Sequence, residues 1–106
     1  MVRNVLIVRG HALAHQMAPC RVAHNTRLQV RGDDDYAVVY HDTDVVRYRP
    51  DGTIVLNSGG WETPTTKDRM NIFTPDSVTV YQKDYQWYVT DANGTRAFYD
   101  GIEVTP

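Results

Sequence analysis

The sequence predicts an α+β protein: an antiparallel meander of short strands with one central short helix, and a further helix favoured near the N-terminus. Three observations predict it. Short runs with period-two alternation or β-branched and aromatic enrichment recur along most of the chain. Turn signals such as Pro50-Asp51-Gly52 and Asn93-Gly94 separate them. A Thr-Pro-Thr-Thr segment at residues 63–66 opens the one stretch with convincing helical spacing.

Val2 to Val8 is a short apolar run that suits a strand or part of an N-terminal helix, because periodicity does not separate the two at this length. His11 to Met17 favours helix, and Pro19 stops it by lacking an N–H and crowding the preceding turn. From Thr26 the period becomes two, with Thr26, Leu28 and Val30 on one face and Arg27, Gln29 and Arg31 on the other. Gly32 and Asp33 to Asp35 make a polar turn before a second strand, Tyr36 to His41. Asp44 to Arg49 and Thr53 to Asn57 flank Pro50-Asp51-Gly52 as a hairpin.

The central helix is predicted from Thr63-Pro64 to about Phe73, stopping before Thr74-Pro75. A Thr hydroxyl can accept from an exposed N–H at its start, and Pro is tolerated in its first turn. Thr65 and Asp68 resemble a capping box, and Thr66, Met70 and Phe73 fall on one stripe. Val78 to Lys83 and Gln86 to Thr90 form another hairpin, Thr95 to Tyr99 follows the Asn93-Gly94 turn, and Asp100-Gly101 bends the chain towards Ile102-Glu103-Val104. No repeat or linker interrupts the pattern, so one domain spanning residues 1–106 is expected. A chain of this length buries roughly two thirds of its extended-chain surface.

Charge and composition narrow the function. Apolar residues make up 42% and charged residues 23%, which excludes a wholly disordered chain. A net charge of −2 gives no long-range field that would draw the protein onto a nucleic-acid backbone. Cys20 is the single cysteine, so no intrachain disulfide forms. With neither a signal-peptide pattern nor eighteen consecutive apolar residues, a cytoplasmic protein with no membrane partner is expected.

The segment Asn57 to Asn71, NSGGWETPTTKDRMN, concentrates the chemistry. Gly59-Gly60 permit close backbone approach, the N–H groups at the helix start favour an anion, and Lys67 and Arg69 add charge-assisted donors. Asn57, Ser58, Thr65, Thr66 and Asn71 offer neutral hydrogen bonds, and Trp61 a face on which a base could stack. A structural reading fits the same residues: hydroxyls cap a helix, Trp61 fills the core, and Lys67 and Arg69 face water. The segment matches neither a Walker motif nor a dinucleotide fingerprint.

Other clusters weigh less. His11, His15, Cys20 and His24 have outer spacings that suit zinc, but the connection between the pairs is shorter than in finger-type sites. Neither a metal nor another cofactor is expected. Asp33 to Asp35 lack the spacing of a calcium loop. His41, Asp42 and Asp44 could support acid–base work, yet no nucleophile is placed beside them, and no enzymatic activity is expected. Arg27, Arg31, Arg47 and Arg49, with Tyr36, Tyr40 and Tyr48 nearby, could hold single-stranded nucleic acid.

Thr43-Asp44-Val45-Val46, Pro50-Asp51-Gly52-Thr53, Leu56-Asn57-Ser58-Gly59-Gly60-Trp61 and Thr65-Thr66-Lys67-Asp68-Arg69-Met70-Asn71 together resemble a family of small uncharacterised phage proteins. Asn25-Thr26, Val80-Tyr81-Gln82-Lys83 and Trp87-Tyr88-Val89 extend the resemblance over roughly residues 24 to 104. It implies a viral protein of the host cytoplasm that acts by binding, either sequestering a nucleotide signal or blocking a host defence protein.

The expectation is therefore a non-enzymatic binding protein. A phosphate-bearing ligand such as a cyclic nucleotide would sit at the turn and helix start, with Lys67 and Arg69 on phosphate. The alternatives are a protein–protein interaction inhibitor and a single-strand binder through the Arg-bearing strands. Short strands with unpaired edges leave room for a homodimer.

Overall fold

In the computed structural model, residues 25–106 are described in full, together with the backbone of 7–8, 11–12 and 20–23. The strands are β1 (Ile7–Val8), β2 (His11–Ala12), β3 (Cys20–Ala23), β4 (Thr26–Gly32), β5 (Asp35–Tyr40), β6 (Thr43–Tyr48) and β7 (Ile54–Leu56). After helix α1 (Pro64–Ile72) come β8 (Thr79–Lys83), β9 (Gln86–Asp91), β10 (Gly94–Ala97) and β11 (Ile102–Val104). Antiparallel pairing gives a six-stranded sheet ordered β11-β7-β6-β5-β4-β3, a three-stranded sheet β10-β9-β8, and the small pair β1-β2.

The fold is thus mostly β, which corrects the α+β expectation. The only helix among the described residues has nine residues and forms no layer of its own. The expected N-terminal helix is not present where the backbone is described, because His11–Ala12 pairs with Ile7–Val8 as a strand; the rest of that stretch, 13–17, lies outside the described residues. The meander holds in two pieces, β3 to β7 and β8 to β10. β11 departs from it, returning from the end of the chain to pair with β7.

Turn chemistry explains the joins. Gly52 takes φ +91 in the Pro50-Asp51-Gly52 turn, and the Asp51 carboxylate accepts from Thr53 N at 2.9 Å. Asp84 and Tyr85 both adopt left-handed φ between β8 and β9, the backbone shape that matches strand twist in a two-residue hairpin. In the β9–β10 hairpin the turn lies one residue earlier than expected, with Gly94 already paired to Asp91.

One core cluster runs through both larger sheets, from Leu28, Val38 and Val46 to Val80, Trp87 and Val89. Helix α1 packs against β6 and β8. It buries Thr66 and Met70 completely and Phe73 almost so, the stripe expected from spacing. Trp87 and Phe98 meet edge to face, with centroids 5.4 Å apart. The Tyr48 hydroxyl donates to the Phe73 carbonyl at the helix end, and burial pushes the Tyr48 phenol far up.

Asn71 joins the helix to the smaller sheet. Its side-chain amide donates to Val80 O and accepts from Val80 N, both at 2.8 Å, as a neighbouring strand would. At the far end, the fully enclosed Asp91 carboxylate accepts two bonds from Arg96 and one each from Asn93 N and Thr105 N. The Arg96 bonds hold its carboxyl below the usual carboxylate range against the opposing effect of burial.

Candidate functional site

A cleft of about 440 Å³ lies at the start of α1. One side is the β5–β6 turn: Tyr40, His41, Asp42 and Thr43, with Val45 below it. The other is the segment entering the helix, with Ser58, Trp61, Thr63 and Thr66.

A bulge in β6 shapes the first side. Pairing steps from Val38↔Val46 to Val39↔Asp44, which leaves Val45 as the extra residue. Both Val45 and Val46 are buried, one reaching the cleft and the other keeping its place in the sheet register. Such bulges re-aim side chains beside functional sites. His41 sits at φ +54, donates its N–H to Asn25 O at 3.1 Å, and holds its ring against Tyr40 with centroids 4.4 Å apart.

The second side is a chain of local hydrogen bonds. Asn57 N donates to Val45 O, tying the segment to the bulge. The Asn57 side chain accepts from Gly59 N at 2.7 Å in an Asx turn. Ser58 is buried, and its N and Oγ both donate to Asp100 Oδ1. Gly59 has φ +65, and a Cβ there would lie 2.3 Å from Thr43 Oγ1. Only glycine lets the two sides meet this closely. Thr63 is the helix cap, its Oγ1 accepting from Thr66 N at 3.2 Å with Pro64 following. The capping pair is Thr63 and Thr66, so Thr65 and Asp68 do not form the expected box.

The structure divides the predicted segment. Ser58, Trp61 and Thr66 reach the cleft, Asn57 shapes its edge, and Thr65 is exposed on the first helical turn. Trp61 is 70% exposed, which removes the reading of it as core. Arg69 and Asn71 are not in the cleft lining. Arg69 Nε donates to Thr26 Oγ1 at 3.0 Å, Nη1 to Asp68, and its guanidinium carbon lies 5.7 Å from the Tyr40 ring centroid. It therefore braces a cleft wall from outside. Lys67 is half-exposed and is likewise absent from the lining. It follows Thr63 by four residues, which places it beside the cap on the helix surface.

Tyr40, His41, Asp42 and Thr43 were missed as part of this site. Their sequence signal is a polar and aromatic turn between two apolar strands, but they meet the predicted segment only through long-range contacts, such as Gly59 against Thr43 sixteen residues away and Arg69 over Tyr40.

Of the four arginines grouped from sequence, Arg31, Arg47 and Arg49 are paired, and Arg27 is exposed on β4. Arg47 makes a two-bond contact with Asp35 at 2.7 and 2.9 Å, which holds the Asp35 carboxyl low and Arg47 high. Arg31 bonds Asp44, and Arg49 bonds Glu103. Tyr48, grouped with them from sequence, points into the core. The side chains of His11, His15, Cys20 and His24 lie outside the described residues; among those described, no group of three metal-ligating side chains occurs. No helix of the described residues is long and apolar enough to cross a membrane.

No curated protein and no solved structure matches the chain. Residues 9–105 match the model of a family described as Kyanoviridae Gp96 protein. That match takes in nearly the whole chain, and the protein belongs to this phage family.

Proposed function

We propose that this phage protein is a non-enzymatic binding protein that takes a phosphate-bearing ligand, such as a nucleotide, in the cleft at the start of α1, and that it acts by sequestration. The carrying observation is the cleft itself. Trp61 stays largely exposed along it, while Tyr40 and His41 supply two further rings from a separate element. A large apolar side chain left open beside hydroxyls and rings suits a planar ligand. The phosphate would lie outward, towards Lys67, which makes no ion pair among the described residues. Arg69 is already engaged and is not part of the ligand contact.

Thermal unfolding against a panel of mono-, di- and cyclic nucleotides tests the proposal. A bound ligand raises stability by about 2.7 kcal/mol at a hundred times its dissociation constant. The rise is expected for the native protein and lost in Trp61→Ala. If no nucleotide raises the unfolding temperature, the proposal fails.

One observation favours a second reading, a surface for a host protein. Tyr99 is 60% exposed, and the adjacent Asp100 holds Ser58, so two loops carrying exposed aromatics are tied together. Retention of a host protein by the native chain but not by Trp61→Ala or Tyr99→Ala, with no response to nucleotides, would support it. The paired arginines of the large sheet leave less free positive charge for the nucleic-acid alternative.

A further inference from the structure

The lining of the cleft holds no lysine or arginine, and its charged side chain is an acid, Asp42. Several hydroxyls there are already committed. Ser58 Oγ donates to Asp100 and accepts from Gly60 N, while Thr63 Oγ1 accepts from Thr66 N and lies 3.1 Å from Thr66 Oγ1. The Asp42 carboxylate has no hydrogen bond or ion pair among the described residues. Asp42 is exposed on the β5–β6 turn, next in sequence to Tyr40 and His41, and lines the same cleft as their rings and Trp61.

An ionised carboxylate is an acceptor only, with two oxygens side by side. It repels phosphate, and it pairs best with two donors in a matching fork. The common bases differ sharply in this respect. Guanine presents a ring N–H and an exocyclic amino group next to each other on one edge. Adenine and cytosine set their amino group beside an acceptor nitrogen, and uracil and thymine flank a lone N–H with two carbonyls.

We infer that the cleft selects a guanine-bearing nucleotide, whose paired N–H donors are read by Asp42 while its ring stacks on the aromatic walls. The inference rests on the binding reading above and specifies its ligand class. The ring enters the acid-lined cleft, and the phosphate stays outside it. Specificity therefore comes from the β5–β6 turn, and the helix side supplies the wall.

Calorimetric titration of the whole protein with GMP, IMP and AMP tests this. IMP keeps the ring N–H of GMP but lacks its amino group, so the comparison needs no variant. A two-bond carboxylate contact implies that GMP binds roughly tenfold or more tighter than AMP, with IMP between them. Asp42→Asn, whose folding is checked by thermal unfolding, erases the gap because an amide offers one acceptor and one donor. Equal binding of GMP and AMP, or a preference that survives Asp42→Asn, overturns the guanine inference and leaves nucleotide binding standing. No binding of any of the three overturns the guanine inference, and the unfolding panel of mono-, di- and cyclic nucleotides then decides whether nucleotide binding falls with it.

Discussion

The two ends of α1 differ in how fully their polar and aromatic groups are used. At the C-terminal end the Phe73 carbonyl takes the Tyr48 hydroxyl, Thr74 Oγ1 donates to Met70 O, and the Asn71 amide bonds both backbone groups of Val80. At the N-terminal end Trp61 is open, and Asp42 across the cleft has no partner among the described residues. A group already held by the fold has little to offer a ligand. The contrast divides one sequence-continuous segment, residues 57–71, into a half left open beside the cleft and a half held by the fold.

The largest effect expected from this division is at Met70, which is fully enclosed. Met70→Ala costs about 2–5 kcal/mol through lost burial and a cavity, whereas Trp61→Ala changes stability by about 0.5 kcal/mol, as surface substitutions do. Urea denaturation of both variants measures the difference, and comparable losses would erase the distinction between the halves.

Asn71→Ala comes next. It leaves Val80 N and O without their partner and costs about 1–3 kcal/mol, while nucleotide titration of the folded variant is unchanged. A loss of affinity at unaltered stability would move Asn71 back into the site.

The third effect is read from the pH dependence of stability. The Asp91 carboxyl is held below its ordinary value of 3.8, chiefly by Arg96. Its contribution is fully present above that ordinary value and disappears as pH falls through the lower folded value. Asp91→Asn should therefore flatten the acid limb of the stability profile. An unchanged limb would mean that the Arg96 contact does not couple folding to protonation.

Local features were legible in sequence and long-range ones were not. The Pro50-Asp51-Gly52 hairpin and the buried stripe Thr66, Met70 and Phe73 follow from residue chemistry within a few positions. Arg69 reads as a phosphate ligand because Tyr40 and Thr26, which hold it, are far away in sequence. Asn71 reads as a ligand for the same reason, since nothing near it identifies Val80 as its partner. The α+β label gave too much weight to one nine-residue helix and to His11–Met17, whose first two residues are paired as strand. Short segments like this take their conformation from partners more than from propensity.

The amide of Asn71 also bears on assembly. β8 is an edge strand, and an exposed edge can template the addition of another chain. On the side away from β9, the Val80 backbone groups are taken by Asn71, and Val78 N is bonded to Pro75 O. An incoming strand would find this edge already occupied over its first half and would have to displace the helix attachment to pair there. One side chain thus serves both as the helix's attachment and as a guard over the first half of that edge.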